Sequence, residues 1–199
     1  VVLVPSAEQR DFRARLADLE IPCLELNPTR FDEVLAAIEE LGARVGRQTA
    51  AASRVREIRR VQSGVEDATR GLPRVRTLMV LQRDPPFVVG RGNFVGEMVR
   101  MAGAENVGAE FDEPYPRVTR EWIIAASPTV ILDSSDAPGD ALEYWAKWPS
   151  LPAVKRGRVI SLSRGIATLP GPYLDRALLA IAAAIHGPEV VSHLEEPGS

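Results

Sequence analysis

A chain of 199 residues with 45% apolar and 26% charged side chains is long enough to bury one sizeable core or two smaller ones. Its net charge of −3, with both signs interspersed, argues against a nucleic-acid partner, which calls for a basic patch. No run approaches the ~18 apolar residues needed to cross a bilayer, and the lone Cys23 rules out an intrachain disulfide.

The pattern of short apolar runs alternating with amphipathic stretches predicts an α/β fold with mostly parallel sheet. Residues 1–4 read as a buried strand, too short and without the basic leader of a signal peptide, so the natural start is expected to lie upstream. A helix is expected over 7–19, with Phe12, Leu16 and Leu19 at helical spacing and a capping box of Ser6 and Gln9. A strand at 21–26 follows, with Cys23 read as a small buried apolar residue beside it. Thr29 is expected to cap a helix over 31–44 whose buried face carries Val34, Leu35, Ile38 and Leu41. From 47 to 70 comes a long helix rich in alanine and arginine. Val55, Ile58, Val61 and Val65 form its narrow apolar stripe, and Gly71-Leu72-Pro73 stops it.

A second α/β unit is predicted from Val75: strands at 75–81, 88–89, 129–132 and 158–162, and helices at 93–102, 119–126, 139–148 and 172–186. A frayed turn is expected at 189–194. The expected divisions are a partial N-terminal lobe (1–46), a connecting helix (47–72) and a C-terminal lobe (73–199). The first unit reads as incomplete, because a two-stranded parallel sheet cannot easily cover both faces.

No catalytic constellation emerges. Gly90, Gly92 and Gly96 give GxGxxxG, not the dinucleotide spacing, and read as a tight turn into a helix with Asn93 as N-cap. His186 and His193 lack the spacing of a metal site and read as solvated or capping residues, so no metal ligands are assigned. Asp133-Ser134-Ser135-Asp136 either lines a site at a strand end or forms a polar loop with Asx-turns. Glu97 and Glu121 both lie in first turns, where a helix N-terminus favours an acid. Glu121 also fits a docking charge for a basic partner. Phe87 and Tyr115 lie in proline-flanked loops, outside any periodic core face, and are assigned to a cleft with Tyr173. Trp145 and Trp148 read either as cleft or as core. Arg164 follows the last strand and reads equally as a side chain entering a cleft at the sheet's C-terminal edge or as a solvated loop arginine.

The ordered set Asp84-Pro85-Pro86-Phe87 with Gly90, Phe94-Val95-Gly96-Glu97-Met98-Val99, Tyr115-Pro116-Arg117-Val118-Thr119-Arg120-Glu121, Ser127-Pro128-Thr129-Val130-Ile131-Leu132 and Pro170-Gly171-Pro172-Tyr173-Leu174 resembles substrate-binding proteins of bacterial ABC importers for cobalamin and iron chelates. The 47–70 helix stands where that family has its backbone helix. The resemblance implies a two-lobed fold that performs no chemistry and carries no cofactor. It implies periplasmic or lipid-anchored residence, and delivery of a small-molecule ligand to an inner-membrane permease. It places Pro86 and Phe87 at the ligand cleft, Tyr115 where a cleft tryptophan stands, and Glu121 where a glutamate docks onto permease arginines. Two departures stand out. Most of the family's N-terminal lobe is absent, and Tyr173 replaces an arginine common after Pro-Gly-Pro, which disfavours an anionic siderophore and mildly favours a corrinoid. The alternative is an interaction or scaffold protein that has kept the fold, completed as a homo-oligomer through its open first sheet.

Overall fold

The computed structural model describes residues 2–4, 15–21, 23–136 and 140–194. The Ser6–Gln9 capping box, most of the 7–19 helix and the start of the 139–148 helix lie outside them. Residues 15–18 are helical, in the last turn of the expected 7–19 helix.

Two sheets organise the chain. β1 (Val2–Val4) and β2 (Cys23–Glu25) pair in parallel, with Leu3 opposite Leu24. Cys23 is exposed, contrary to the expectation of burial. Strand alternation explains this: Leu24 takes the buried face and places Cys23 and Glu25 on the other.

α1 (Phe31–Arg44) follows with the expected bounds, but its start differs from the Thr29 cap read from sequence. The Thr29 carbonyl accepts from Phe94 N at 2.7 Å, while Glu33 reaches back and accepts from Thr29 N, Thr29 Oγ1 and Arg30 N. Thr29 is therefore a donor to the cap rather than the cap itself. These bonds, from Thr29 first, hold the Glu33 carboxyl below its ordinary range.

α2 (Gln48–Thr69) is the long helix, 22 residues and ~33 Å at 1.5 Å per residue. Its buried positions, Ala51, Ile58, Val61, Val65 and Thr69, continue the stripe read from sequence, with Val55 only partly buried. It crosses α1 closely: a Cβ on Gly42 would lie 2.3 Å from that of Ala51, so only glycine permits the approach. The helix is not a bare strut. Phe31, Val34, Leu35, Ile58, Val61 and Val65 share one buried cluster with Met79, Phe94, Met98, Leu178 and Ile181 from the rest of the chain.

The main sheet is built on β3 (Val75–Arg83). One edge of β3 pairs in parallel with β6 (Val130–Asp133), which pairs in parallel with β7 (Val159–Ser161). The other edge is divided. Its N-terminal half pairs in parallel with β5 (Ala104–Asn106), and its C-terminal half pairs antiparallel with β4 (Pro86–Val88). A register shift between Val80 and Gln82 inserts Leu81 as a bulge, which re-aims the strand end. β5 was not read from sequence; three residues directly after a helix give too short a pattern to show a period.

The sheet is covered on both faces. Met79 and Leu132 pack under α3 (Phe94–Met101) and α8 (Leu174–His186), together with α2. Leu78, Val80 and Ile131 pack on the other face against α4 (Arg120–Ala126), α5 (Ala141–Trp145) and α6 (Pro152–Lys155). Asn93 and Thr119 cap α3 and α4 as expected, accepting from Gly96 N and Trp122 N. A helical turn α7 (Arg164–Ala167) follows β7, and two 3-10 turns, Pro188–Val190 and Ser192–Leu194, end the described chain.

Candidate functional site

The C-terminal end of β3, its antiparallel neighbour β4 and the helical turn that follows β7 meet at one cavity of about 370 Å³. It is lined by Leu81, Gln82, Phe87, Tyr115, Arg164 and Thr168. Three of the expected ligand residues, Phe87, Tyr115 and Arg164, therefore converge although they are widely separated in sequence. The bulge contributes Leu81, and α7 supplies Arg164 and Thr168. Leu81, Gln82 and Thr168 were not read from sequence, where none carries a local signal.

Phe87 and Tyr115 are held by a short ribbon. Val88 N donates to Pro116 O at 3.1 Å, Val118 N to Pro86 O at 3.0 Å, and Gly90 N to Pro114 O at 2.9 Å. Phe87 stands directly opposite Arg117 across this antiparallel bridge. Pro86 is buried and meets the cavity only through this backbone role. The ribbon is fixed from behind by two asparagines. Asn93 Nδ2 donates to Pro114 O (2.9 Å), and Asn106 Nδ2 donates to Val89 O and Gly90 O (3.0 and 3.1 Å).

Gly90 and Gly108 are required by this close stitching. A Cβ would lie 2.0 Å from Glu113 O at the first and 2.3 Å from Val89 O at the second. This accounts for the conspicuous Gly90 as a crossing of two backbones.

Partial burial pushes the Tyr115 phenol above its ordinary pKa, so it stays a neutral hydrogen-bonding group. Arg164 is half exposed and pairs with Asp136 at 2.9 Å. Asp133, at the end of β6, is not a cleft acid. It is fully buried, accepts from Arg83 Nε (2.9 Å) and Trp145 Nε1 (2.7 Å), and closes an Asx-turn onto Ser135 N and Oγ. Trp145 is therefore core, and Trp148 is half-buried beside it, with ring centroids 5.6 Å apart.

Tyr173 lies apart from the cavity. It is 59% exposed, stacks with Arg176 (4.9 Å to the ring centroid) and lines a separate groove of about 690 Å³ with Arg54, Glu57 and Asp175. In that groove burial works against the Arg54 charge, but Asp175 and Glu57 outweigh it and hold the guanidinium above its ordinary pKa. His186 Nε2 lies 2.8 Å from Ala102 O, at the end of α3, and His193 is exposed. Among the described residues, no group of three or more metal-ligating side chains forms, and no helix is long and apolar enough to cross a membrane.

Glu121 is exposed in the first turn of α4, and no cation among the described residues pairs with it. Glu97 behaves differently from the surface acid read from sequence. Its side chain is only 16% exposed, accepts from Phe31 N at 2.7 Å and pairs with Arg30 at 2.5 Å, joining α1 to α3. No local pattern signals a contact across 66 positions.

A two-face-covered α/β sheet with an aromatic wall at its strand ends, tied to a second sheet by one long helix, is the build of a solute-binding protein. Residues 1–164 match the periplasmic binding protein family, and the chain belongs to that family of binding proteins, not of enzymes. The vitamin B12-binding protein of Vibrio parahaemolyticus serotype O3:K6 is 24% identical over 182 residues, 91% of this chain and 66% of that protein. A possible iron-binding periplasmic solute-binding protein of Staphylococcus epidermidis superposes with TM-score 0.82 at 18% identity, over 92% of this chain and 75% of that one. The periplasmic heme-binding protein BhuT, solved with two hemes, superposes with TM-score 0.78 at 25% identity, over 92% and 75%. The chain spans between 43% and 66% of the length of the curated relatives it matches.

Proposed function

We propose that this protein captures a flat metal-chelate ligand, a cobalamin or related corrinoid, a heme or an iron chelate, and delivers it to an ABC permease from an extracytoplasmic position. The observation that carries the reading is the convergence of Phe87, Tyr115 and Arg164 on one cavity at the strand ends. Two aromatic faces beside an aliphatic side chain suit a planar apolar ring, and a few polar groups at the rim suit its substituents. Exposed Glu121, with Ile124 one turn further at 38% exposure, supplies an acidic and apolar patch for a basic permease surface.

The test uses the full-length protein. Cyanocobalamin, hemin and ferric hydroxamate are each titrated while tryptophan fluorescence and melting temperature are followed. One ligand should quench the fluorescence and raise Tm with concentration, as mass action requires, and Phe87→Ala should weaken it. Failure of all three to bind removes the reading. Separately, Glu121→Lys should abolish uptake while ligand affinity stays unchanged; undiminished uptake removes the docking role.

A further inference from the structure

The register of the Phe87 ribbon assigns a cleft residue that neither motif nor cavity lining indicates. In an antiparallel pair, bonds from Val88 N to Pro116 O and from Val118 N to Pro86 O flank the Phe87–Arg117 pair without joining it. That is the non-hydrogen-bonded arrangement, in which opposite side chains lie on one face at closest approach, Cα atoms ~4.5 Å apart. Burial agrees with this register. Pro86, Val88, Pro116 and Val118 are buried, whereas Tyr115 and Arg117 are exposed and Phe87 is half-exposed. Phe87, Tyr115 and Arg117 therefore share the face that borders the cavity.

Arg117 is also uncommitted. No hydrogen bond, ion pair or ring contact engages it among the described residues. Nearby acids are taken: Asp84 pairs with Arg120, Asp112 with Arg91, and Asp136 with Arg164. Glu113, four positions back across a bend, and Glu121, four positions on in the first turn of α4, form no ion pair with it. The Arg164 charge is balanced by Asp136, so Arg117 is the unbalanced cation on this wall. The arginine expected at Tyr173 is absent, but that position opens on a different groove, and its loss does not strip the cavity of positive charge.

Resting on the ligand wall proposed above, we infer that Arg117 recognises a carboxylate at the edge of the ligand whose ring lies on Phe87 and Tyr115. A guanidinium meets a carboxylate through two parallel N–H···O bonds, which fixes the ligand's rotation as well as its affinity.

The experiment compares hemin with its dimethyl ester, the same ring without free carboxylates, binding to full-length wild type and to Arg117→Ala, Arg117→Lys and Phe87→Ala. Cyanocobalamin serves as a third probe. The inference expects hemin to bind wild type about tenfold or more tighter than its ester. Arg117→Ala should erase that difference, Arg117→Lys should restore part of it, and ester affinity should stay within about twofold in both Arg117 variants. Phe87→Ala should weaken hemin and ester alike. Equal loss of both ligands in Arg117→Ala, or no loss, overturns the assignment while leaving the Phe87 wall intact. Binding of cyanocobalamin alone also overturns it. Indifference of every probe to Phe87→Ala removes the wall itself, and the inference with it.

Discussion

Replacing Glu97 tests whether the contact between α1 and α3 is a structural clasp. Its carboxylate accepts from Phe31 N, a first-turn amide of α1 with no intrahelical partner, at 2.7 Å. A hydrogen bond to a charged acceptor contributes about 1.5–3 kcal/mol, here in a side chain only 16% exposed. The ion pair to Arg30 adds about 0.5 kcal/mol, since that arginine is 58% exposed and well screened. Glu97→Ala should therefore destabilise by about 2–3 kcal/mol. Glu97→Gln keeps an oxygen acceptor for Phe31 N but loses the charge, and should cost about 1 kcal/mol. Arg30→Ala should cost about 0.5 kcal/mol or less. Urea unfolding followed by tryptophan fluorescence measures all three from shifted midpoints at constant slope. The order Ala, then Gln, then Arg30→Ala is the signature of a buried charge-assisted bond. Equal effects for Glu97→Ala and Glu97→Gln, or a loss below about 0.5 kcal/mol for Glu97→Ala, would refute the clasp and return Glu97 to an ordinary surface acid near a helix start.

Asp133→Ala removes the acceptor for Arg83 Nε, Trp145 Nε1 and Ser135 at once, and should destabilise by about 3–5 kcal/mol in the same assay. A loss under about 1 kcal/mol would show that the buried network is dispensable. Gly90→Ala would place a Cβ 2.0 Å from Glu113 O, a backbone atom that cannot swing away. It should cost about 1–3 kcal/mol and displace the Tyr115 segment, so hydrogen exchange at residues 114–118 should rise; unchanged exchange counts against the crossing. The lowered Glu33 carboxyl stabilises the start of α1 at pH values above its unfolded pKa, and this contribution is lost as pH falls through the lower folded value. Acid titration followed by circular dichroism should show Glu33→Gln flattening that dependence, and an identical profile would remove the cap.

The parts of this protein legible in its sequence are those whose cause is local. The 31–44 helix and the stripe of the long helix follow from apolar spacing, which a helix converts directly into one buried face. Asn93 and Thr119 cap because their side chains accept from amides three residues away, within their own segment. Phe87 and Tyr115 stood out as aromatics in proline-flanked loops, with no periodic face to claim them. Misreadings arose where the partner lies far along the chain. Thr29 resembles a cap until Glu33 reaches back and Phe94 N takes its carbonyl. Cys23 is apolar enough for a core, but strand parity gives that face to Leu24. Tyr173 followed a motif to the cleft, yet the packing of α8 on α2 directs it to a separate groove.

The amino-acid sequence alone determined the α/β alternation, the long connecting helix and the candidate aromatics, because periodicity and capping act within a few residues. Only the tertiary structure decided which of these meet. The bulge at Leu81, the backbone crossing at Gly90 and the bonds of the 114–118 segment bring Phe87 and Tyr115 to the cavity that α7 supplies with Arg164, and place Arg117 beside Phe87. Those placements depend on which strand edges pair and in what register. A shift of one residue would turn Phe87 inward and Pro86 outward, and that choice is made by the packing of the whole sheet rather than by any one segment of it.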